Sequence, residues 1–235
     1  MSEFTISSAG PAARSILIER AGTPWKLIMQ SGVGLHCIVG LPMAELLSNQ
    51  LGLSPEQLAL ADALILDGMP VDDPKAAIVP DGARVALAAG LPGIAGLSMR
   101  SDSAVKVLRA TITHLKQEEP DPRPGRVLVY LYSLVLPLLA EHFLSRGVLI
   151  KGDQFHRYAR FAPDDLCLFE SQTLPASELA WKLEALAAEE FSLTTHFAHA
   201  PNGAERRRKA IRSKLVVREQ ASIATNLNRT EAGDG

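Results

Sequence analysis

The chain has 235 residues, of which 47% are hydrophobic and 21% are charged, and its formal net charge is -2. This composition is typical of a folded globular protein, and the length suits one large domain or two small ones. The two cysteines, Cys37 and Cys167, have no partner at short spacing. They therefore exclude a disulfide framework and a cysteine-based metal site.

The longest apolar run, Val127–Ala140, has 14 residues even when Ser133 and Pro137 are included. Because about 20 residues are needed to cross a bilayer, we expect a protein that is not integral to a membrane. The first residues lack the basic start and apolar core of a secretory signal. A cytoplasmic location is the resulting expectation.

The first part of the chain predicts a hairpin followed by a helix. Ser15–Arg20, Trp25–Gln30 and Leu35–Val39 are short apolar segments that predict strands, and residues 31–34 form a loop suited to a hairpin. Leu41–Leu51 then predicts a helix, because Pro42 suits its first turn and Gly52 follows its end.

A second helix start and several short strands follow. Ser54 and Gln57 have the spacing of a capping box, with Pro55 between them. Ala63–Leu66 predicts a buried strand that ends at Asp67-Gly68, a pair typical of tight turns. A further strand, Arg84–Ala88, follows the turn residues Pro80-Asp81-Gly82 and should lie beside Ala63–Leu66.

This order resembles the β-grasp fold of ubiquitin-like sulfur carriers, such as the small subunit of molybdopterin synthase. The resemblance covers residues 25–96 and rests on the segments Asp67-Gly68-Met69-Pro70-Val71 and Pro80-Asp81-Gly82-Ala83-Arg84-Val85. It implies a proline- and glycine-rich end at which Pro92, Gly93 and Gly96 are candidate binding residues. In those carriers a terminal Gly-Gly carboxylate is activated, whereas here no adjacent glycine pair occurs and the chain continues after Gly96. The resemblance therefore implies the fold without the carrier chemistry.

Residues 116–125 are charged and proline-rich and predict a linker. Beyond it, Arg126–Tyr132 predicts a strand and Leu134–Arg146 a helix. One continuous helix over 127–146 is the alternative, at a cost of about 3 kcal/mol because Pro137 would then lie in its interior. Gly152–Phe161 predicts a loop, and Ser177–Phe191 predicts a helix.

These elements predict an α+β protein with five segments. They are a partly disordered N-terminus (1–24), a β-grasp-like module (25–116), a linker (117–125), a helix-rich module with a few strands (126–200) and a basic, partly disordered C-terminal segment (201–235).

The charge is concentrated in the last segment. Residues 201–220 carry seven basic and two acidic side chains, a net of +5, so the rest of the chain sums to -7. The favoured interpretation is a solvated helix packed on its own domain. If residues 206–218 instead contact nucleic acid or an acidic surface, Arg207, Arg208 and Arg212 are the candidate binding residues.

Histidine spacing supplies the candidate metal ligands. His196 and His199 would lie on one face of a helix, with Glu189 or Glu190 as the nearest third ligand. Because spacing alone leaves the ligand set incomplete, we expect no bound metal and no cofactor. Cys37 is expected to be a core thiol.

Two functions remain open from the sequence. The leading hypothesis is a non-catalytic binding or adaptor protein with a protein partner. The alternative is an accessory enzyme or subunit in sulfur or cofactor metabolism, with its chemistry around His142, His156 or His196. The sequence alone does not decide whether the protein is an enzyme.

Overall fold

The computed structural model describes residues 14–19, 22–93, 96, 99 and 120–195. These residues belong to one compact unit, Met1–Thr195. All of the basic segment lies outside the described residues, as do His196 and His199.

The described residues form a mixed α+β structure. Its strands are β1 Ser15–Ile18, β2 Val33–Val39, β3 Leu41–Pro42, β4 Ala63–Leu66, β5 Met69–Pro70, β6 Ile78–Val79, β7 Arg84–Ala89, β8 Arg123–Ser133, β9 Val148–Lys151, β10 Leu166–Phe169, β11 Gln172–Pro175 and β12 Glu190–Thr195. Its α-helices are α1 Thr23–Lys26, α2 Met43–Glu45, α3 Pro55–Leu58, α4 Val135–Arg146, α5 Gly152–Ala159 and α6 Ala176–Glu184. A 3-10 turn, Leu27–Ser31, extends α1, and a π turn, Leu46–Gln50, extends α2.

Ten of these strands form one sheet, in the order β11-β10-β1-β12-β9-β2-β8-β7-β4-β5. The remaining two, β3 and β6, pair with each other. The long strand β8 lies inside the sheet and pairs antiparallel with β2 and parallel with β7. Because β8 begins at Arg123, it starts within the predicted linker, and the sheet contains strands from both predicted modules.

Alternation along the strands separates the two faces of the sheet. One set of side chains, including Val127, Val129 and Leu131 of β8, joins the buried helix residues in a single hydrophobic core. Phe143 of α4 and Phe155 of α5 belong to that core and are fully buried. The alternating set, which includes Leu128 and Tyr130, lies outside the core cluster.

Several sequence-based expectations are confirmed. Leu64 and Leu66 pair with Leu87 and Val85 in adjacent antiparallel strands, β4 and β7. The segment 126–146 is a strand followed by a helix, and Pro137 lies in the first turn of α4, where its missing N–H needs no partner.

The capping box before α3 is also confirmed. Gln57 N donates to Ser54 Oγ, and Ser54 N donates to Gln57 Oε1. Both hydrogen bonds satisfy backbone or side-chain groups at the start of the helix.

Five local predictions are wrong. Trp25–Gln30 is helical rather than a strand, because Pro24 begins α1 and Trp25 packs inward, stacked on Phe155. The predicted hairpin at 31–34 is therefore also wrong, and Gly32 instead ends the 3-10 turn just before β2. The predicted helix Leu41–Leu51 begins only at Met43, because Leu41 and Pro42 pair with β6.

The other two errors lie in the second half of the chain. Gly152–Phe161 contains helix α5, whose Phe155 is anchored in the core. The predicted helix Ser177–Phe191 is too long, because α6 ends at Glu184 and Glu190–Thr195 is strand β12. Pairing with β1 and β9 outweighs helix propensity there. None of the helices in the described part of the chain is long and apolar enough to cross a membrane.

Candidate functional site

The sheet face opposite the core carries the candidate site, and we call it the outer face. Cross-strand pairing and alternation place on it the following residues near the middle of the sheet: Gly34, His36, Arg84, Ala86, Ala88, Arg126, Leu128, Tyr130, Tyr132, Leu149, Lys151, Glu190 and Ser192. None of them belongs to the core cluster. The outer face is therefore a second surface, built from the same strands but separate from the helix-covered core.

Two tyrosines stand side by side on β8. Tyr130 and Tyr132 are partly exposed, their ring centroids are 6.2 Å apart, and their ring planes differ by 18°. Their neighbours on β7 are Ala86 and Ala88, which pair with them across the parallel strands. Ala86 and Ala88 are small and buried, whereas the two rings are partly exposed.

Tyr130 also depends on a glycine on its other side. Gly32 has φ of +82°, a backbone conformation that favours glycine. A Cβ atom at this position would lie 2.4 Å from Tyr130 Cζ, so the ring rests directly against the glycine backbone. Gly32 thus fixes the position of the ring.

A cavity of about 320 Å³ opens beside Tyr130. Gly32, Gly34, Leu128 and Leu149 contribute its less polar lining. The polar and charged lining consists of Ser31, Arg126, Lys151, Asp153, Gln154, Arg157 and Glu190. This volume lies at the lower end of the range of about 300–1,000 Å³ found for small-molecule sites.

Hydrogen bonds order the polar side of the cavity. Arg126 Nη1 donates to both carboxylate oxygens of Glu190, at 2.8 and 3.1 Å, which joins β8 to β12 across the outer face. Gln154 Nε2 donates to Gly32 O at 2.8 Å and to Ser31 Oγ at 3.1 Å. These contacts hold the start of α5 against the turn that carries Gly32.

The cavity has more basic than acidic groups. Arg126, Lys151 and Arg157 face Asp153 and Glu190, which gives a formal charge of +1. Arg157 pairs with Asp153 at 3.8 Å, and Lys151 has no carboxylate partner among the described residues. A second concavity of about 270 Å³ shares Asp153 and Arg157 and adds His156 and Arg160. Glu184 also lines this second concavity, so its two arginines are balanced by two carboxylates.

The residues predicted from the glycine-rich end lie elsewhere. Pro92 and Gly93 are exposed shortly after the end of β7, and Gly96 is buried. None of the three lines the cavity. The prediction of a strand over 126–132 did not identify its outer face. The alternation of Val127, Val129 and Leu131 with more polar or aromatic residues was the signal that could have revealed it.

The two thiols and His142 are engaged within the packed structure. Cys37 is buried, as predicted, and burial raises its pKa to about 11, with a smaller contribution from Asp81. Burial likewise raises the pKa of Cys167 to about 12, with Asp165 adding to the effect. His142 Nε2 donates to Leu51 O at 2.9 Å. These groups serve the packed interior rather than a shared site.

The aspartates of the turns also have structural roles. Asp67, Asp73 and Asp81 each accept a backbone N–H, from Lys75 in the case of Asp73 and from strands β7 and β8 in the other two. Their role is therefore to cap turns. Within the described residues, no group of three or more His, Cys, Asp or Glu side chains is placed to hold a metal ion.

The outer face thus combines a rigid sheet, two parallel tyrosine rings and a cationic cavity. Searches for similar proteins do not add to this description. No family model, no curated protein and no solved structure matches the chain.

Proposed function

We propose that this protein is a non-catalytic binding or adaptor module and that the outer face is its binding surface. The observation that carries the proposal is the division of the sheet into a helix-covered face and a face outside the core. Leu128, Tyr130 and Tyr132 remain partly exposed at the centre of the second face. Contiguous apolar and aromatic surface of this kind marks interaction sites.

The side chains of this surface are held in place before a partner binds. They project from hydrogen-bonded strands, and the Arg126–Glu190 pair and Gln154 fix the adjoining polar groups. A rigid scaffold lowers the entropic cost of binding, because little has to be ordered when the partner arrives.

We also propose a β-grasp-like arrangement for the strands β2, β4, β7 and β8. It is supported by the neighbouring order β2-β8-β7-β4, in which the central pair is parallel and both outer pairs are antiparallel. Here β8 follows β7 in the chain, so the proposed arrangement would be a permuted form of the ubiquitin-like order. The absence of an adjacent Gly-Gly pair in the sequence leaves binding as the role of such a module.

The alternative, an accessory enzyme, receives less support. Its candidate His142 donates to a backbone carbonyl, and both thiols have raised pKa values that keep them protonated at neutral pH. Neutral, buried thiols are poor nucleophiles.

Both cysteines are free and buried, which suits the proposed cytoplasmic location.

Photocrosslinking in cells tests the binding surface. We replace Tyr132 with p-benzoylphenylalanine on the outer face, and in a matched control we replace Leu138, which is 56% exposed on α4. The proposal predicts discrete crosslinked adducts from position 132 and few from position 138. Equal yields from the two positions, or no adduct from position 132, would contradict it.

A further inference from the structure

We propose that the outer face binds single-stranded nucleic acid, with bases stacked on Tyr130 and Tyr132 and phosphates at the neighbouring basic side chains. This inference rests on the proposed function, because it names the class of partner for the same surface. It places the contact on the sheet rather than on residues 206–218.

The tyrosine pair supplies the stacking surface. The two rings are nearly parallel and project from alternate positions of one strand, beside the small residues Ala86 and Ala88. Every base has a flat π-face, so aromatic side chains of this kind bind successive bases with little dependence on sequence. Burial and the neighbouring Tyr130 raise the pKa of Tyr132, so this phenol stays neutral and does not repel phosphate.

Cations lie on both sides of the tyrosines. Arg84 is exposed on β7 and pairs across the strands with Leu128, two positions before Tyr130. On the other side, Lys151 and Arg157 are exposed at the cavity that Tyr130 lines. A backbone that crosses the tyrosines would therefore pass from one set of cations to the other.

The cavity next to Tyr130 has groups that suit the edge of a base. Asp153 and Glu190 provide carboxylate oxygens beside the apolar Leu128 and Leu149. A base can reach a tyrosine face only when it is unstacked from its own helix, so single strands fit this surface and duplexes do not. Aromatic rings, cations and edge-recognition groups together favour nucleic acid over an acidic protein, which would need only the cations.

Binding of labelled oligonucleotides to the full chain tests the inference. The probes are 15-nucleotide oligouridylate and oligothymidylate, with a duplex of the same length for comparison, and the readout is fluorescence anisotropy. We expect both single strands to bind more tightly than the duplex. Tyr130→Leu and Tyr132→Leu should each weaken single-strand binding by about tenfold, because each removes a stacking platform.

Three further variants test whether the loss of affinity comes from the tyrosine rings and the neighbouring cations rather than from misfolding. Tyr130→Phe keeps the ring and should restore most of the affinity that Tyr130→Leu loses. Trp181→Leu removes an aromatic side chain that is 73% exposed on α6, away from the cavity lining, and should change nothing. Lys151→Glu should weaken binding and lower the slope of log affinity against log salt concentration by about 0.7 or more. Thermal unfolding of each variant verifies that it is folded.

In the oligonucleotide-binding experiment, two outcomes would overturn the inference. One is the absence of single-strand binding by the full chain. The other is binding that ignores both leucine variants but disappears when Arg207, Arg208 and Arg212 are reversed in charge, which would assign the contact to the basic segment.

The crosslinked adducts distinguish the two proposals. Adducts at position 132 that are shortened by nuclease support the inference. Adducts that only protease removes would overturn it while leaving the outer face as a binding surface. If position 132 gives no adduct at all, both proposals fail together.

Discussion

Cys37 and Cys167 hold their protons because the fold removes them from water. Burial raises their pKa values from the ordinary 9.0 to about 11 and about 12. Unfolding returns both thiols to the ordinary value, so their contribution to stability is complete below pH 9 and is lost as the pH rises through their folded pKa values.

We therefore expect the free energy of unfolding to fall above pH 9. At pH 10 each thiol should account for a loss of about 1 kcal/mol. Urea unfolding between pH 8 and pH 10.5 measures the change. The double variant Cys37→Ala, Cys167→Ala is the control, since lysines and tyrosines also titrate in this range. Equal slopes in the two proteins would show that the thiols are not the cause.

At the scale of elements, the capping box at the start of α3 stabilises a helix through residues that are close together in the sequence. Ser54→Ala removes the hydroxyl that accepts from Gln57 N, so we expect a loss of about 1 kcal/mol in stability. Ser48→Ala is the matched control, because its hydroxyl lies within a helix, where its acceptors are Ala44 O, Glu45 O and Asn49 Oδ1. Denaturant unfolding compares the two, and a similar small loss in both would mean that the capping box contributes little.

The sequence predicts those elements that depend on residues close together in the chain. Ser54 and Gln57 act within four residues, and Asp67-Gly68 forms its turn with φ above zero at both positions, so both features are readable locally. Trp25 is different, because its position depends on Phe155 and on Asp165, which accepts from its indole N–H at 2.7 Å. Partners so distant in the chain leave no local pattern.

The candidate site follows the same division. The alternation in β8 predicts that Tyr130 and Tyr132 share a face, and this could be read from the sequence. The cavity could not be predicted from the sequence, because it depends on the Arg126–Glu190 pair and on the contact between Gln154 and Gly32. Those contacts join segments whose proximity is set by the order of strands in the sheet.

At the scale of the whole molecule, the position of β8 bears on the predicted two-module organisation. One sheet contains strands from residues 25–116 and from residues 126–200, with β8 paired to β2 and β7. We therefore expect residues 14–195 to unfold in a single cooperative transition.

The two thiols report on this directly, since Cys37 lies in β2 and Cys167 in β10, and both are buried. Pulsed alkylation in increasing urea, read by mass spectrometry of each peptide, should give one midpoint for both. Two separate midpoints would instead support independent modules on either side of residues 117–125.

The placement of β1 has a consequence for the order in which the protein is made. Ser15–Ile18 pairs only with Leu166–Phe169 and Glu190–Thr195 within the described sheet. During synthesis the first strand therefore leaves the ribosome long before either of its neighbours exists. An apolar strand without a partner is a template for aggregation. The nascent chain must keep this segment from pairing with other molecules until nearly all of the sheet has been translated.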